Sequence, residues 1–448
     1  MNQSSLFDVA VVGGGLAGLA TALYSARAGQ SVILFEKDPR PGGRAATQVV
    51  QGFHFNLGPH ALYGCGQAIE VLKELGIHYG GSPASYGGAW VLQAGKKHPW
   101  PGTPLSLVTT KLLSAASKLE AATLFESLDR LVESDAGHLS VREWLDARIR
   151  HADLRVLFEG LVRLSTYCDE PGTQSASAAL TQTAMGRRGG VLYLDGGWQT
   201  LVDRLREATD TAGVRIETRS LVAEVHCQEG AASVVLANGE RYSARSVIFT
   251  AGPAAAARLI NGGEVPSLRR AANEAGPIQA ACLDVALRRL PCAENQFAIG
   301  LDHPWYYSVH SRSAKLAPDG GAVIQVAKYL SRDAGAQPGN IQQELEGVMD
   351  WMQPGWREEL VERRFMPRML VANSVVTVTQ GDARGRPGCA LPEVPNLFLA
   401  GDWVGPHGML ADASLASARD AARLASRWLR STPGVVNSER NPVAIEQD

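Results

Sequence analysis

The chain has 448 residues, more than one simple core accommodates, so two intertwined domains are expected. Hydrophobic residues at 45% and charged residues at 20% describe a soluble globular protein and exclude a disordered one. A formal net charge of -2 gives no basic field for nucleic acid, and no apolar run reaches the length that crosses a bilayer.

Met1 to Phe7 lacks a basic stretch and the first apolar run breaks at Gly13, so no secretory leader is expected. Phe7 to Val12, FDVAVV, reads as a buried parallel strand. A glycine turn follows, then LAGLATALYSARAG with apolar residues at helical spacing, ended by Gly29 as a left-handed cap. SVILFE is a second strand, which completes a βαβ unit over residues 7 to 36. From about Tyr79 to Gly190 the pattern changes to a Gly/Pro/Trp-rich loop and long helices, Leu105 to Val132 and Val141 to Tyr167. Leu105 to Phe125 carries only Lys111, Lys118 and Glu120 as charges, which suits a membrane-surface contact; the reading we favour is a buried helix of a substrate domain.

The α/β register returns with LDGGWQTLVDRL, a turn and a helix, followed by two strands and then by RSVIFTAGPAAAARLI, a strand, a turn at Gly252 and a helix. A second insertion, about Pro266 to Cys389, contains strand-like AACLDVAL, PWYYSVHS and GAVIQVAKYL. NLFLAGDW is a last strand ending at Gly401-Asp402, and Ser414 to Leu429 is an amphipathic helix; the tail from Ser431 is polar. The expected division is residues 1-78, 191-265 and 390-430 in a dinucleotide domain, 79-190 and 266-389 in a substrate domain, and 431-448 as a tail. Cys65, Cys168, Cys227, Cys282, Cys292 and Cys389 are scattered with no Cys-x-x-Cys, so neither a disulfide framework nor a zinc site is expected, and a reducing cytosol fits.

Gly13-Gly14-Gly15-Leu16-Ala17-Gly18 sits at the first strand-to-helix junction. Gly13 allows the tight turn, Gly15 lets backbone N–H groups of the helix start approach a pyrophosphate, and Gly18 lets the helix pack on the strand. Glu36 ends the second strand and can accept from a ribose diol, which favours FAD or NAD over a 2′-phosphorylated ribose. Lys37 follows it, and then Gly42-Gly43-Arg44, an arginine within reach of the same pyrophosphate.

These glycines, the acid and Gly-Gly-Arg together resemble the FAD-binding signature of the amine oxidase and phytoene desaturase superfamily. NLFLAGDWVGPHGMLADASLASARDAA resembles the C-terminal FAD motif of that superfamily, and LDGGWQTLVDRL its middle flavin-domain segment. The resemblance implies an α/β fold: a Rossmann-type, glutathione reductase-like FAD-binding domain, discontinuous in sequence, with an inserted α+β substrate-binding domain. It implies FAD as cofactor, with Gly13, Gly15, Leu16, Ala17, Gly18, Gly42, Gly43 and Arg44 at the diphosphate, Glu36 and Lys37 at the ribose, and Val222 at adenine. It also implies Gly58, Pro59, His60, Gly252, Gly401, Asp402, Gly408, Met409 and Leu410 around the ribityl chain and flavin ring. The chain departs from many relatives at Leu410-Ala411-Asp412-Ala413-Ser414; Asp412 is read as an exposed cap of the last helix rather than a proton donor.

Gly-Pro-His occurs twice, at Gly58-Pro59-His60 and Gly405-Pro406-His407, and is read as two walls of one cofactor pocket. His60 and Tyr63 are the catalytic-side candidates, and His407 is a turn residue. Two histidines without a third ligand make no metal site. Tyr167, Tyr306, Tyr307 and His310 are candidate pocket-lining residues. Lys328 is the nearest analogue of a lysine under the flavin, though a solvated strand lysine is the favoured reading. The expected activity is hydride transfer from a largely apolar organic substrate to flavin N5, with oxygen or a quinone as acceptor. The alternatives are a flavin amine oxidase and a flavin-free lipid-escort protein resembling Rab GDP-dissociation inhibitors.

Overall fold

The computed structural model describes residues 6–85, 87–133, 138–228, 230–332 and 338–432. Phe7–Val12 and Val32–Phe35 are buried on both faces apart from the first two residues, as strands in the middle of a covered sheet must be. They lie parallel, and Phe7–Val12 also runs parallel to Arg241–Phe249. The sheet order is Arg215–Glu217, Val32–Phe35, Phe7–Val12, Arg241–Phe249, Ala231–Leu236, Val222–Gln228, with Val394–Leu399 added alongside Arg241–Phe249. Val12 pairs with Phe249, and Phe249 with Leu399. The turns that follow these three strands therefore open at one carboxyl edge, where parallel α/β sheets form their ligand crevice.

The helix Leu16–Arg27 packs against the last helix, Leu410–Ser431, and against Gln199–Thr211. Gly18 lets the helix sit close on the glycine turn that precedes it, because a Cβ there would stand 1.8 Å from the Gly13 carbonyl oxygen. Gly29, at φ +82°, reverses the chain after the helix. The last helix begins at Leu410, four residues before the expected start.

A second sheet has the order Leu360–Ala372, Ile278–Leu287, Ala322–Leu330, Trp305–Val309, Phe297–Gly300, Ala89–Gln93, Lys96–Pro99. Residues 89–99 thus join strands that follow them by some two hundred positions, through the parallel pair Phe297–Gly300 and Ala89–Gln93. The helices Ala115–Glu133, Val141–Arg148, Ala152–Thr166 and Ala176–Gly189 share a core with one side of this sheet, and Pro338–Met352 closes the other.

The two long helices expected between Leu105 and Tyr167 are each interrupted. The first breaks between Pro104–Thr109 and Ala115–Glu133, where Thr110 Oγ1 accepts from Leu112 N–H at 3.2 Å and Asp153 accepts from Ser114 N–H at 2.9 Å. The second breaks at Ile149, where the Glu120 carboxylate takes the N–H groups of Arg150 and His151 at 2.7 and 3.2 Å. In both places side chains satisfy backbone donors that a continuous helix would have used. No helix among the described residues is long and apolar enough to cross a membrane.

Candidate functional site

The crevice is built first by the glycine turn. Gly13 has φ +108°, and its N–H donates to Phe35 O at 2.8 Å. Thr250, at the end of the neighbouring strand, lies with Oγ1 2.9 Å from Val12 O and 3.2 Å from Gly13 O, so it holds the turn from the other side. Gly15 caps Leu16–Arg27 with no side-chain partner and no acid in the first turn, leaving the helix N–H groups and their positive end for a ligand. A Cβ at Gly15 would meet only the Gly42 carbonyl oxygen, at 3.9 Å, so the face above it is open. Glu36 is 6% exposed and fixed by Gly14 N–H at 2.7 Å and Asp38 N–H at 2.9 Å. Ser220 N–H donates to Glu36 O at 2.8 Å, which brings the strand starting at Val222 beside it. Lys37 turns away and pairs with Asp38 at the surface.

Opposite, Arg44 Nη1 stands 2.5 Å from Asp402 Oδ2 and donates to Val371 O at 2.9 Å. Asp402 also accepts from Asn373 N–H at 2.9 Å and from its Nδ2 at 2.8 Å. Burial alone would raise the Asp402 pKa; the Arg44 cation and the Asn373 donors overcome it and hold the carboxylate ionised. Arg386 donates from Nη1 to Asp402 O at 3.1 Å and from Nη2 to Gly408 O at 2.8 Å. It thereby ties both ends of the turn that carries Gly401 (φ +145°) and Gly408 (φ +64°). Leu410, the first residue of the last helix after its cap Met409, has φ +55°, a left-handed conformation rare for a bulky residue. Gly252 caps the helix Pro253–Leu259, and a Cβ on it would come 2.5 Å from Asn373 Oδ1, so it closes on the same network.

Asp412 corrects the sequence expectation. It is 2% exposed, lies inside the helix that Met409 caps, and accepts from Ala68 N–H at 2.7 Å. It joins the start of the last helix to the start of Gln67–Glu74, and burial raises its pKa to about 6.

Between these walls runs Gly58-Pro59-His60. Gly58 has φ +73°, and its carbonyl accepts from Gln325 Nε2 at 2.8 Å. His60 Nδ1 lies 3.0 Å from Gly58 O and Nε2 3.0 Å from Arg44 O, with its ring edge-on to Trp198 at 5.1 Å. Both nitrogens thus address backbone carbonyls rather than open space, and burial pushes the imidazole pKa down. Expected to present a polar group to substrate, His60 instead links Arg44 to the Gly58 turn. Tyr63 donates to Ser165 O at 2.6 Å. At the other Gly-Pro-His, Gly405 takes a matching φ of +76°, yet Pro406 and His407 are exposed where Pro59 is buried. The second copy is a surface turn, so the expectation of two equivalent walls fails for its histidine.

Gln325 belongs to a polar ladder that the sequence reading missed. Arg364, Asp284, Gln325 and Ser308 are register partners across adjacent strands of the second sheet. Arg364 pairs with Asp284 at 2.9 Å, donates to Asn56 O at 2.7 Å, and lies 4.4 Å over the Phe55 ring. The signal was a polar residue at the centre of each strand, Asp284 in AACLDVAL and Gln325 in AVIQVAKYL.

Beyond the ladder stands an aromatic wall. Tyr167, left-handed at φ +59°, donates to Pro59 O at 3.4 Å and meets Tyr329 edge-on at 5.9 Å. Tyr193 stacks on His310 at 3.9 Å, and the Tyr306 hydroxyl lies 2.8 Å from His310 Nε2. Burial lowers the His310 pKa to about 3 and raises those of Tyr167, Tyr306 and Tyr329, so the wall is uncharged at neutral pH. Tyr307 faces the opposite side of the sheet, toward Gln353 and Asn295. Lys328, on the strand Ala322–Leu330, is 20% exposed and pairs with Glu344 at 2.5 Å. Among the described residues no group of three or more His, Cys, Asp or Glu is arranged to hold a metal ion.

The open face over Gly15, the uncapped helix start, the fixed Glu36 and the Arg44–Asp402 pair fit an FAD-sized dinucleotide along the carboxyl edge. The family model described as flavin containing amine oxidoreductase matches residues 16–281. Carotenoid 3,4-desaturase of Haloarcula japonica is 27% identical over 294 residues, 58% of this chain and 58% of that one, so the chain spans less than two thirds of that relative. The 4,4'-diapolycopen-4-al dehydrogenase of Metabacillus indicus is 24% identical over 471 residues, 89% of this chain and 93% of that one. The solved structure of an oxidoreductase from Methanosarcina mazei shares the fold, with a TM-score of 0.75 at 19% identity over 93% of this chain and 100% of that one.

Proposed function

The chain belongs to the flavin-containing amine oxidoreductase family and is an FAD-dependent oxidoreductase, and from that premise we propose that it takes hydride from one carbon of a largely apolar, uncharged substrate while the neighbouring carbon releases a proton to water, which forms a C=C bond. FAD supplies the hydride acceptor, N5, when bound. In this reading Gly13, Gly15, Leu16, Ala17, Gly18, Gly42, Gly43 and Arg44 hold the diphosphate, Glu36 the ribose and Val222 the adenine. Asp402 and the Gly408–Leu410 backbone serve the ribityl and pyrimidine side, and Gly58-Pro59 borders the ring. His60 is a positioning residue that fixes this border to Arg44, and Tyr63 anchors it to the helix Ala152–Thr166. We assign residues 1–78, 191–265 and 390–430 to the cofactor unit, and 79–190 with 266–389 to the substrate unit.

The observation that carries the reading is the uncharged aromatic wall beside Pro59. A neutral lipid-like substrate loses little on entering it, whereas an ammonium would have to be desolvated, and the ladder carboxylate Asp284 is already paired with Arg364. The edge-on Tyr167–Tyr329 pair favours the second reading, amine oxidation, because aromatic faces attract a cation. Oxygen or a quinone is the proposed acceptor. Leu105, Val108 and Leu119 are exposed at 74, 67 and 74%, and with Lys111 and Lys118 beside them they support contact with a membrane surface. The free cysteines support a reducing, cytosolic setting.

The test is anaerobic: polyenes, prenyl lipids and amines are mixed in turn with the purified flavoprotein and the flavin band is followed. Bleaching by polyenes or prenyl lipids is the expected result. Bleaching by amines alone refutes the desaturase reading.

A further inference from the structure

A second cleft, of about 350 Å³, lies against the turn that Arg386 holds, and none of the glycine turn, Glu36 or Arg44 lines it. One side is the helix Pro266–Glu274, with Ser267, Arg270 and Ala271; the other is Arg386, Leu391 and Trp403.

Arg386 is 5% exposed, and among the described residues no carboxylate lies within ion-pair distance of it. Its Nη atoms are occupied by the carbonyls of Asp402 and Gly408, but its Nε–H has no partner, and neither has Ser267 Oγ in the same lining. A buried cation with no carboxylate in ion-pair distance, on which Asp402 and Asp382 act only from further off, and a buried donor without an acceptor each cost free energy that an anion would offset. The rest of the lining sets apolar Pro253, Leu391 and the Trp403 indole beside polar Ser374 and Gln380, with the exposed Arg270 as a second cation. Glu274 and Glu393 are exposed at the rim and oppose a multiply charged ion.

We propose that this cleft binds a small organic monocarboxylate, its carboxylate on Arg386 Nε and Ser267 and its apolar body against Trp403 and Leu391. Both donor atoms lie beneath the lining surface, so binding displaces the helix Pro266–Glu274 outward; that helix has Leu268 as its one buried side chain. Arg386 also grips Asp402 O and Gly408 O, so occupancy is transmitted to the turn assigned above to the ribityl and pyrimidine side of the flavin. The transmission rests on that assignment, and the binding does not.

The experiment is calorimetric titration of the FAD-loaded protein with benzoate, with neutral benzamide as the control of equal shape, while the flavin difference spectrum is recorded. Wild type binds benzoate saturably at one site and benzamide not at all. Ala271→Trp, which fills the cleft from its wall, and Ser267→Ala, which removes one donor without adding bulk, each weaken benzoate by about tenfold or more, roughly 1.4 kcal/mol. Absence of saturable benzoate binding overturns the proposal. So does benzamide binding as tightly as benzoate, or Ala271→Trp and Ser267→Ala both binding benzoate like wild type, which would place the ligand in the substrate pocket or elsewhere. Saturable binding with an unaltered flavin spectrum keeps the site and overturns its coupling to the cofactor turn.

Discussion

Gln325, in the centre of the second sheet, donates from Nε2 to the carbonyl oxygen of Gly58 at 2.8 Å, and so fixes the left-handed turn that borders the proposed flavin site. Gln325→Leu removes this donor and leaves the Gly58 carbonyl buried with only His60 Nδ1 near it. The expected loss is about 1–3 kcal/mol in urea unfolding. The flavin content should be close to wild type and the anaerobic bleaching rate lower, because the turn rather than the diphosphate cradle has been loosened. A lower flavin content at an unchanged bleaching rate would contradict this.

Asp402 joins Arg44, Asn373 and, through its own carbonyl, Arg386. Asp402→Ala leaves the Arg44 guanidinium, 38% exposed, without its counter-charge and the Asn373 donors without their acceptor, and is expected to cost about 1–3 kcal/mol. The purified variant should carry less flavin per chain, measured by absorbance after denaturation.

Two glycines separate shape from conformation. At Gly18 a Cβ would stand 1.8 Å from the Gly13 carbonyl, and no side-chain rotation relieves that. At Gly29 a Cβ meets nothing within 4 Å, and only its φ of +82° is strained. Gly29→Ala should therefore cost about 1–2 kcal/mol. Gly18→Ala should cost more than about 4 kcal/mol and abolish flavin retention.

Two buried groups tilt the pH dependence in opposite directions. Asp412 has its pKa raised from 3.8 to about 6, so its ionisation weakens the native state progressively as pH rises through that interval. Asp412→Asn keeps the acceptor for Ala68 N–H and removes the titration, and its stability relative to wild type should rise by roughly 2 kcal/mol from pH 4 to pH 7. His310 has its pKa lowered from 6.5 to about 3, so its contribution is full above pH 6.5 and lost as pH falls toward 3. His310→Gln should therefore gain on wild type as pH falls, by roughly 2 kcal/mol between pH 7 and pH 5. Thermal denaturation of the two variants across this range checks the opposite slopes.

The parts legible in the sequence are local or joined to local signals. Phe7 through Glu36 is one βαβ unit whose turn, helix and terminal acid lie within a short stretch, and Asp402 ends a strand with its own apolar signature. The ladder was hidden because Asp284 and Gln325 meet only through strand register, which no window of sequence displays. His60 is read from its tripeptide and from the family resemblance, whereas its environment is set by the Gly58 and Arg44 carbonyls. The helix break at Ile149 comes from the side chain of Glu120, some thirty residues upstream, and propensity does not encode such a partner. Asp412 looked like an exposed cap because its acceptor role depends on Ala68, at the far end of the chain.

The most direct test of the central claim is the product of one anaerobic turnover, isolated after the flavin band has bleached and examined by mass spectrometry. Hydride removal with C=C formation predicts one product molecule per flavin, with the carbon skeleton intact and two hydrogens fewer than the substrate. A carbonyl product with release of an amine, or a substrate recovered unchanged beside an unbleached flavin, would contradict it.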